Sequence, residues 1–324
     1  YNKSVKWVSS DTSVATVSSS GKITGKKPGT TTVTCSATDG SGVKKSCKVS
    51  IYPAKVTLKQ NVSSTTATKI VFSWNKLSGC KSYKVFKYDG TKKEYVLIKT
   101  TSSNTYTDTT VKAGKTYAYI VKGVATVNGK EAVGQSVKIT CYTDPAQVKG
   151  IKQTASTSKS VTISWNKVSN ATHYALYKYN STKKEYESIG QTTKTSFVCP
   201  TDAGKREHIL VYALRKNESG SFKGVGTKII VTSGPAKPTA KATAGTKSVK
   251  LTWTNKTTAT KYYIYRYDGK KYLKIAKVDS SKTSYTDKKL TKGKTYSYKV
   301  RAVNTKYSPA GYSDYSAVVK AKAK

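Results

Sequence analysis

Three tryptophans set the frame of this chain. Trp74, Trp165 and Trp253 stand 91 and 88 residues apart, and the residues around each one align. The segments read Phe-Ser-Trp-Asn-Lys (72–76), Ile-Ser-Trp-Asn-Lys (163–167) and Leu-Thr-Trp-Thr-Asn-Lys (251–256). Nine residues after each tryptophan comes a tyrosine (Tyr83, Tyr174, Tyr262), which opens the stretches YKVFKYDG, YALYKYNS and YYIYRYDG. Alternation of this kind puts successive side chains on opposite faces of a strand. A self-similarity period near 90 residues exceeds that of solenoid repeats and indicates a tandem array of separate domains. Short strands with turn signals roughly every ten residues indicate β-sandwiches.

Composition fits an all-β chain. Thr, Ser and Val are abundant, and 25 Tyr stand against 4 Phe. Such residues suit half-solvated pleated sheets, where a tyrosine ring packs and its hydroxyl stays wet. Helix signals are almost missing. No apolar run approaches the roughly 18 residues of a membrane helix, so membrane insertion is not expected, and no charged-then-apolar leader opens the chain at Tyr1. Methionine is absent, from which we expect a fragment or a processed product.

Each of the three units resembles a fibronectin type III domain, with that family's B-strand Trp, C-strand Tyr and an F-strand Tyr behind a Gly. Repeat one offers Val111-Lys-Ala-Gly114-Lys-Thr-Tyr117, and repeat three Leu290-Thr-Lys-Gly293-Lys-Thr-Tyr296. The resemblance implies a tyrosine corner, in which the phenol hydroxyl bonds back to the upstream backbone. Repeat two departs from the pattern. Glu207 takes the place of that tyrosine, and Cys199 replaces Asp108 and Asp287, so a looser corner is expected there. The first fifty residues are different. Val5-Lys-Trp7 through Val17, Gly21-Lys-Ile-Thr-Gly25, Pro28 through Cys35 and Cys47 through Ile51 together resemble a group 2 bacterial immunoglobulin-like domain. That family has further strands ahead of this stretch. Their absence implies an open edge, with the missing strands cut away or supplied by upstream residues or by another copy, since an unpaired edge invites strand pairing.

The expected domains are 1–52 (partial immunoglobulin-like), 53–144, 145–234 and 235–324 (fibronectin-like). The linkers Tyr52-Pro53-Ala54, Asp144-Pro145-Ala146 and Gly234-Pro235-Ala236-Lys-Pro238 are short and stiffened by proline. The expected architecture is an elongated rod of tandem β-sandwiches.

Charge narrows the classes of partner. The chain holds 59 Lys+Arg against 16 Asp+Glu, a net charge of +43. Only Arg206, Arg215, Arg266 and Arg301 are arginines, so the cations are mostly hydrated point charges rather than planar forks. Net charge rises to +18 over 235–324, against +6, +10 and +9 over 1–53, 54–144 and 145–234. Such a field attracts anionic cell-wall polymers or acidic glycans. No recognition helix or known motif accompanies the lysines, so specific nucleic-acid binding is not expected.

Catalytic signals are poor. His173 aligns with Ser82 and Lys261, and His208 with Ala118 and Ser297, both outward places. Glu185 and Glu187 lie two apart on one strand face, as paired carboxylates or as a solvated rim. The Asp39-Gly-Ser-Gly42 stretch reads as a hairpin turn. Five cysteines without CxxC or Cys/His spacing argue against a zinc site, and no cofactor is expected. Cys35 and Cys47 flank the Asp39–Gly42 turn almost symmetrically, either facing each other as a disulfide or remaining as two buried thiols. Cys80 stands where the other repeats have Ala171 and Ala259, and reads as a small core filler. In repeat three, Tyr262 and Ile264 inward would set Tyr263, Tyr265 and Tyr267 on the outer face, with Lys299 and Arg301 on the neighbouring strand. That grouping reads as a ligand platform or as cross-strand packing of an exposed sheet. The functional expectation is a non-catalytic spacer or adhesion segment of a secreted or cell-surface bacterial protein. Glycan or polyanion binding by the third repeat, and filament formation through the open first domain, are the alternatives.

Overall fold

The computed structural model describes residues 4–324, and the chain divides into two compact units. One holds the residues up to Pro145 together with 216–222; the other holds 146–215 and 223–324. Among the described residues the chain is built of strands, with one turn of 3₁₀-helix at Val62–Ser64. No helix is long and apolar enough to cross a membrane.

The first module has β1 (Val5–Ser9), β2 (Ala15–Val17), β3 (Ile23–Gly25), β4 (Gly29–Ala37) and β5 (Lys44–Ile51). They form a three-stranded sheet, β1-β4-β5, and a two-stranded β2-β3 ladder. Val14, Ala15 and Val33 are buried between them, with Thr31. The β4–β5 turn is closed by Asp39, whose Oδ1 accepts from the Ser41 N–H at 2.9 Å. Gly40 and Gly42 there have φ of 81° and 68°, which glycine adopts without steric cost.

Repeat one follows with β6 (Leu58–Gln60), β7 (Ile70–Trp74), β8 (Ser82–Asp89), β9 (Glu94–Thr101), β10 (Thr105–Asp108), β11 (Thr116–Val127), β12 (Lys130–Val133) and β13 (Val137–Tyr142). Repeat two has β14 (Lys152–Ser156), β15 (Ser160–Ser164), β16 (His173–Asn180), β17 (Glu185–Thr192), β18 (Ser196–Pro200), β19 (Arg206–Asn217), β20 (Gly220–Lys223) and β21 (Thr227–Thr232). Repeat three has β22 (Ala240–Gly245), β23 (Ser248–Trp253), β24 (Lys261–Tyr267), β25 (Tyr272–Asp279), β26 (Ser284–Lys288), β27 (Thr295–Asn304), β28 (Gly311–Tyr315) and β29 (Val319–Lys322). Each repeat pairs a three-stranded sheet with a five-stranded one, in the same strand order.

Every core is drawn from its own repeat. Phe72, Trp74, Tyr83, Val85, Tyr119 and Val121 form the first. Ile163, Trp165, Tyr174, Leu176, Ile209 and Val211 form the second, and Leu251, Trp253, Tyr262, Ile264, Tyr298 and Val300 the third. The tyrosine nine residues after each tryptophan is buried rather than wet, and its hydroxyl closes the intervening loop. It accepts from the N–H of Leu77 (2.8 Å), Val168 (2.9 Å) and Lys256 (2.7 Å), each three residues past its tryptophan. Ring centroids of each Trp–Tyr pair lie 5.2–5.4 Å apart, a spacing at which tilted aromatic pairs attract.

The tyrosine corners form where the sequence places them. The Lys112 N–H donates to the Tyr117 hydroxyl at 2.8 Å, and the Thr291 N–H to the Tyr296 hydroxyl at 3.0 Å. Repeat two has no phenol at Glu207, but its corner is tied by another group. The Ser233 hydroxyl accepts from the Lys205 N–H (2.9 Å) and donates to the Asp202 carbonyl (2.5 Å). Thr143 holds the same station in repeat one, accepting from the Lys115 N–H at 2.9 Å.

Candidate functional site

Strand β24 presents its side chains as alternation dictates. Tyr262 and Ile264 are fully buried, whereas Tyr263 and Tyr265 are half-buried and Tyr267 is exposed. Strand β27 lies beside it, setting Tyr263 opposite Arg301 and Tyr265 opposite Lys299. The structure therefore brings all five expected residues to one sheet face. It adds Tyr272 from β25 and Tyr312 and Tyr315 from β28. Tyr265 and Tyr315 meet edge to face at 5.1 Å and 82°, and Tyr267 meets Tyr272 at 5.2 Å. Burial, and then Tyr315 beside it, push the Tyr265 hydroxyl up to about 12, so this phenol stays protonated at neutral pH.

The cations stand over these rings. Lys299 Nζ lies 4.3 Å from the Tyr272 centroid and 5.6 Å from that of Tyr315, and Lys274 Nζ lies 4.7 Å from that of Tyr263. Arg301 departs from the expected role. Its guanidinium is sandwiched at 4.9 Å from both Tyr312 and Tyr315. It donates through Nε to the Ser313 carbonyl and through Nη2 to the Ser156 carbonyl of repeat two, the latter at 3.3 Å. Within this unit Arg301 is thus a junction residue rather than a free ligand group. Ser158 Oγ reinforces the junction by donating to Asp314 Oδ2 at 2.8 Å, and the Tyr312 N–H donates to Ser156 Oγ at 2.8 Å.

The cysteine expectation is corrected. In the β4–β5 ladder Cys35 stands opposite Lys45, and Cys47 opposite Val33. The two thiols are out of register by two residues, and all five cysteines are free. Cys47 is exposed and Cys35 half-buried, so neither is a core thiol. Cys80 packs against the first core in a half-buried place. Cys141 and Cys199 are buried, and burial pushes both thiols up to about 12, which leaves almost no reactive thiolate at neutral pH.

The remaining candidates have structural surroundings. His173 Nδ1 lies 3.0 Å from Thr172 Oγ1, and His208 lies beside the Tyr179 ring. Glu187 pairs with Lys183 at 2.7 Å and accepts from Asn180 at 3.0 Å, while Glu185 is exposed. They form a solvated rim. Among the described residues no three His, Cys, Asp or Glu side chains converge as metal ligands. A groove of about 680 Å³ at the end of repeat three is lined by Ala242, Ala244, Gly293 and Ala323 with lysine stems, and shares no residue with the tyrosine face.

Four small modules, each of two facing sheets and three of them built around a Trp–Tyr corner, define a tandem array of β-sandwich domains. Residues 1–50 match the family model of the bacterial Ig-like domain (group 2), and residues 233–319 that of the fibronectin type III domain. The matches identify an immunoglobulin-like module at the start and a fibronectin type III module at 233–319, and the two repeats between them share the strand order of the latter. It is similar to Exoglucanase B of Cellulomonas fimi, at 28% identity over 259 residues, covering 74% of this chain and 23% of that protein. It is also similar to receptor-type tyrosine-protein phosphatase eta of Gallus gallus, at 26% identity over 303 residues, covering 90% of this chain and 21% of that protein. The chain thus spans less than a quarter of the length of either relative. Among solved structures, the chicken CNTN1 FN1-FN3 domains share 14% identity at a TM-score of 0.36, covering 84% of this chain and 99% of that one.

Proposed function

We propose that the chain is a non-catalytic spacer and adhesion segment of a secreted or cell-surface bacterial protein, holding neighbouring domains at a set separation. The observation that carries this reading is the junction in the second unit, where Arg301, Ser156, Ser158 and Asp314 fasten repeat three to repeat two. Hydrogen bonds across a short proline-containing linker restrict hinge motion, which a spacer requires and an isolated binding domain does not. Buried Ser156 and Ser158 serve this junction, Thr143 and Ser233 serve the corners, and Asp108 and Asp287 hold core tyrosines. Similarity to one stretch of an exoglucanase supports placement beside a glycan-active domain. Similarity to one stretch of a receptor-type phosphatase supports placement outside the membrane.

Small-angle scattering from the full chain tests the spacing role. A pair-distance distribution with a tail well beyond the width of one sandwich is expected, and a symmetric, bell-shaped distribution would remove the reading. Protease shaving of intact cells tests the location: the segment should be released without lysis.

A further inference from the structure

The three repeats present the same sheet face with different chemistry. Four positions flank the outward residues of the central strand across the register. In repeat three, Lys274 and Lys299 flank Tyr265, and Lys277 and Arg301 flank Tyr263. Repeat two places Ser188 and Leu210 around Tyr177, and Gln191 and Tyr212 around Ala175. Repeat one places Leu97 and Ile120 around Phe86, and Thr100 and Lys122 around Lys84. The same four places hold four cations in the third repeat, none in the second and one in the first.

Carboxylates do not balance these charges. None of the four cations is in an ion pair among the described residues. The face's rim carboxylate, Asp279, is taken by Lys261 at 2.8 Å, whereas in repeat one the face lysine Lys84 is neutralised by Glu131. The ring contacts of Lys274 and Lys299 fix where these ammonium groups stand. An exposed cation–π contact is worth only about 0.5–1 kcal/mol, so the charge remains open to an anion. Lys274 and Lys299 lie on strands either side of β24, a lateral separation of roughly 10 Å at sheet spacing.

We propose that this face binds a linear acidic polysaccharide, its carboxylates against Lys274, Lys277 and Lys299 and its sugar rings against Tyr267 and Tyr315. Those two rings are 42% and 37% exposed. A phenol offers an apolar face and a hydroxyl together, which matches a pyranose ring of C–H and O–H groups. A phosphate polymer fits less well. The face's guanidinium, Arg301, is committed to Ser156 and Ser313, so the bidentate fork that favours phosphate is missing. This binding is independent of the spacer reading, and either can fail alone.

The test uses the full chain and polygalacturonate, with linear polyphosphate and single-stranded DNA as alternative ligands. Binding should be measurable at low salt and fade as salt rises, because lysine contacts are screened. Lys274→Glu with Lys277→Glu should weaken it by ~tenfold or more, while Lys45→Glu with Lys48→Glu, the same charge change on the first module, should weaken it by about threefold or less. Lys274→Gln with Lys277→Gln should move in the same direction with no new charge introduced. Equal losses from both pairs of glutamates would reduce the site to diffuse attraction and overturn the proposal. Tighter binding of polyphosphate or DNA than of polygalacturonate would overturn it too.

Discussion

The Tyr119 hydroxyl donates to Asp108 Oδ2 at 2.6 Å, and Lys87 Nζ closes on the same oxygen at 2.8 Å. Repeat three builds the same lock from Tyr298, Asp287 and Arg266, at 2.8 and 2.9 Å. A carboxylate buried to 2% exposure is costly unless it is paired and hydrogen-bonded, and here one phenol and one cation satisfy it. Repeat two dispenses with the lock: Cys199 stands for the Asp and Ile209 for the Tyr, and both are fully buried. The pair has been exchanged together, as a buried donor and acceptor must be.

The first prediction follows from that exchange. Asp108→Cys alone strands the Tyr119 hydroxyl and should cost about 3 kcal/mol. Adding Tyr119→Ile, which completes the repeat-two pair, should recover at least about 1 kcal/mol as positive coupling. Denaturant-dependent hydrogen exchange, resolved to peptides of repeat one, measures both. Strictly additive losses would mean that the two groups do not act as a unit.

Acid should unlock repeat one. Burial raises the Asp108 carboxyl, but Lys87, Tyr119 and Thr110 together outweigh it and hold the group below its ordinary range. A carboxyl lowered on folding contributes stability that is present above its unfolded value, about 3.9, and is lost as pH falls through the folded value. The stability of repeat one should therefore be flat above pH ~5 and drop below pH ~4. In Asp108→Asn that drop should shrink, and an unchanged acid profile would contradict the assignment.

The corners differ in redundancy. Tyr117 shares its corner with the Thr143 hydroxyl, whereas Ala323 holds that station beside Tyr296 and has no hydroxyl. Tyr296→Phe should cost repeat three about 1 kcal/mol, the value of one hydrogen bond, and Tyr117→Phe should cost repeat one less. Repeat-resolved hydrogen exchange gives the order directly, and the reverse order would contradict the redundancy.

The junction in the second unit rests on close backbone approach. A Cβ on Gly234 would fall 2.0 Å from the Tyr312 carbonyl oxygen, and one on Gly311 2.1 Å from the Ser233 carbonyl oxygen. Gly234→Ala should part repeats two and three without unfolding either. Spin labels placed on the two repeats should report a narrow distance distribution in the parent chain and a broad one in the variant. A narrow distribution in both would show that the linker alone sets the geometry.

Much of this was legible beforehand, for physical reasons. Alternation along β24 and the tryptophan spacing depend only on local chain geometry, and both hold. Register was harder. Pairing Cys35 with Cys47 centres the turn on residue 41, one residue too late, because Ser36 pairs with Lys44 about residue 40. A one-residue error in centre moves every partner by two, which is why Cys35 and Cys47 miss each other. Tyr312 and Tyr315 escaped notice because the register of β28 shifts between Arg301 and Val303, and no local pattern announces such a bulge. The commitment of Arg301 to Ser156 involves a residue 145 positions away, and only tertiary structure supplies it.

Each Trp-centred repeat folds around a core of its own. Phe72→Ala, at a fully buried site, should cost about 3–5 kcal/mol, and hydrogen exchange across the whole chain is the direct readout. Protection should be lost in repeat one, with the amides around Trp253 in repeat three exchanging as in the parent chain. A parallel loss of protection in repeat three would contradict separate cores.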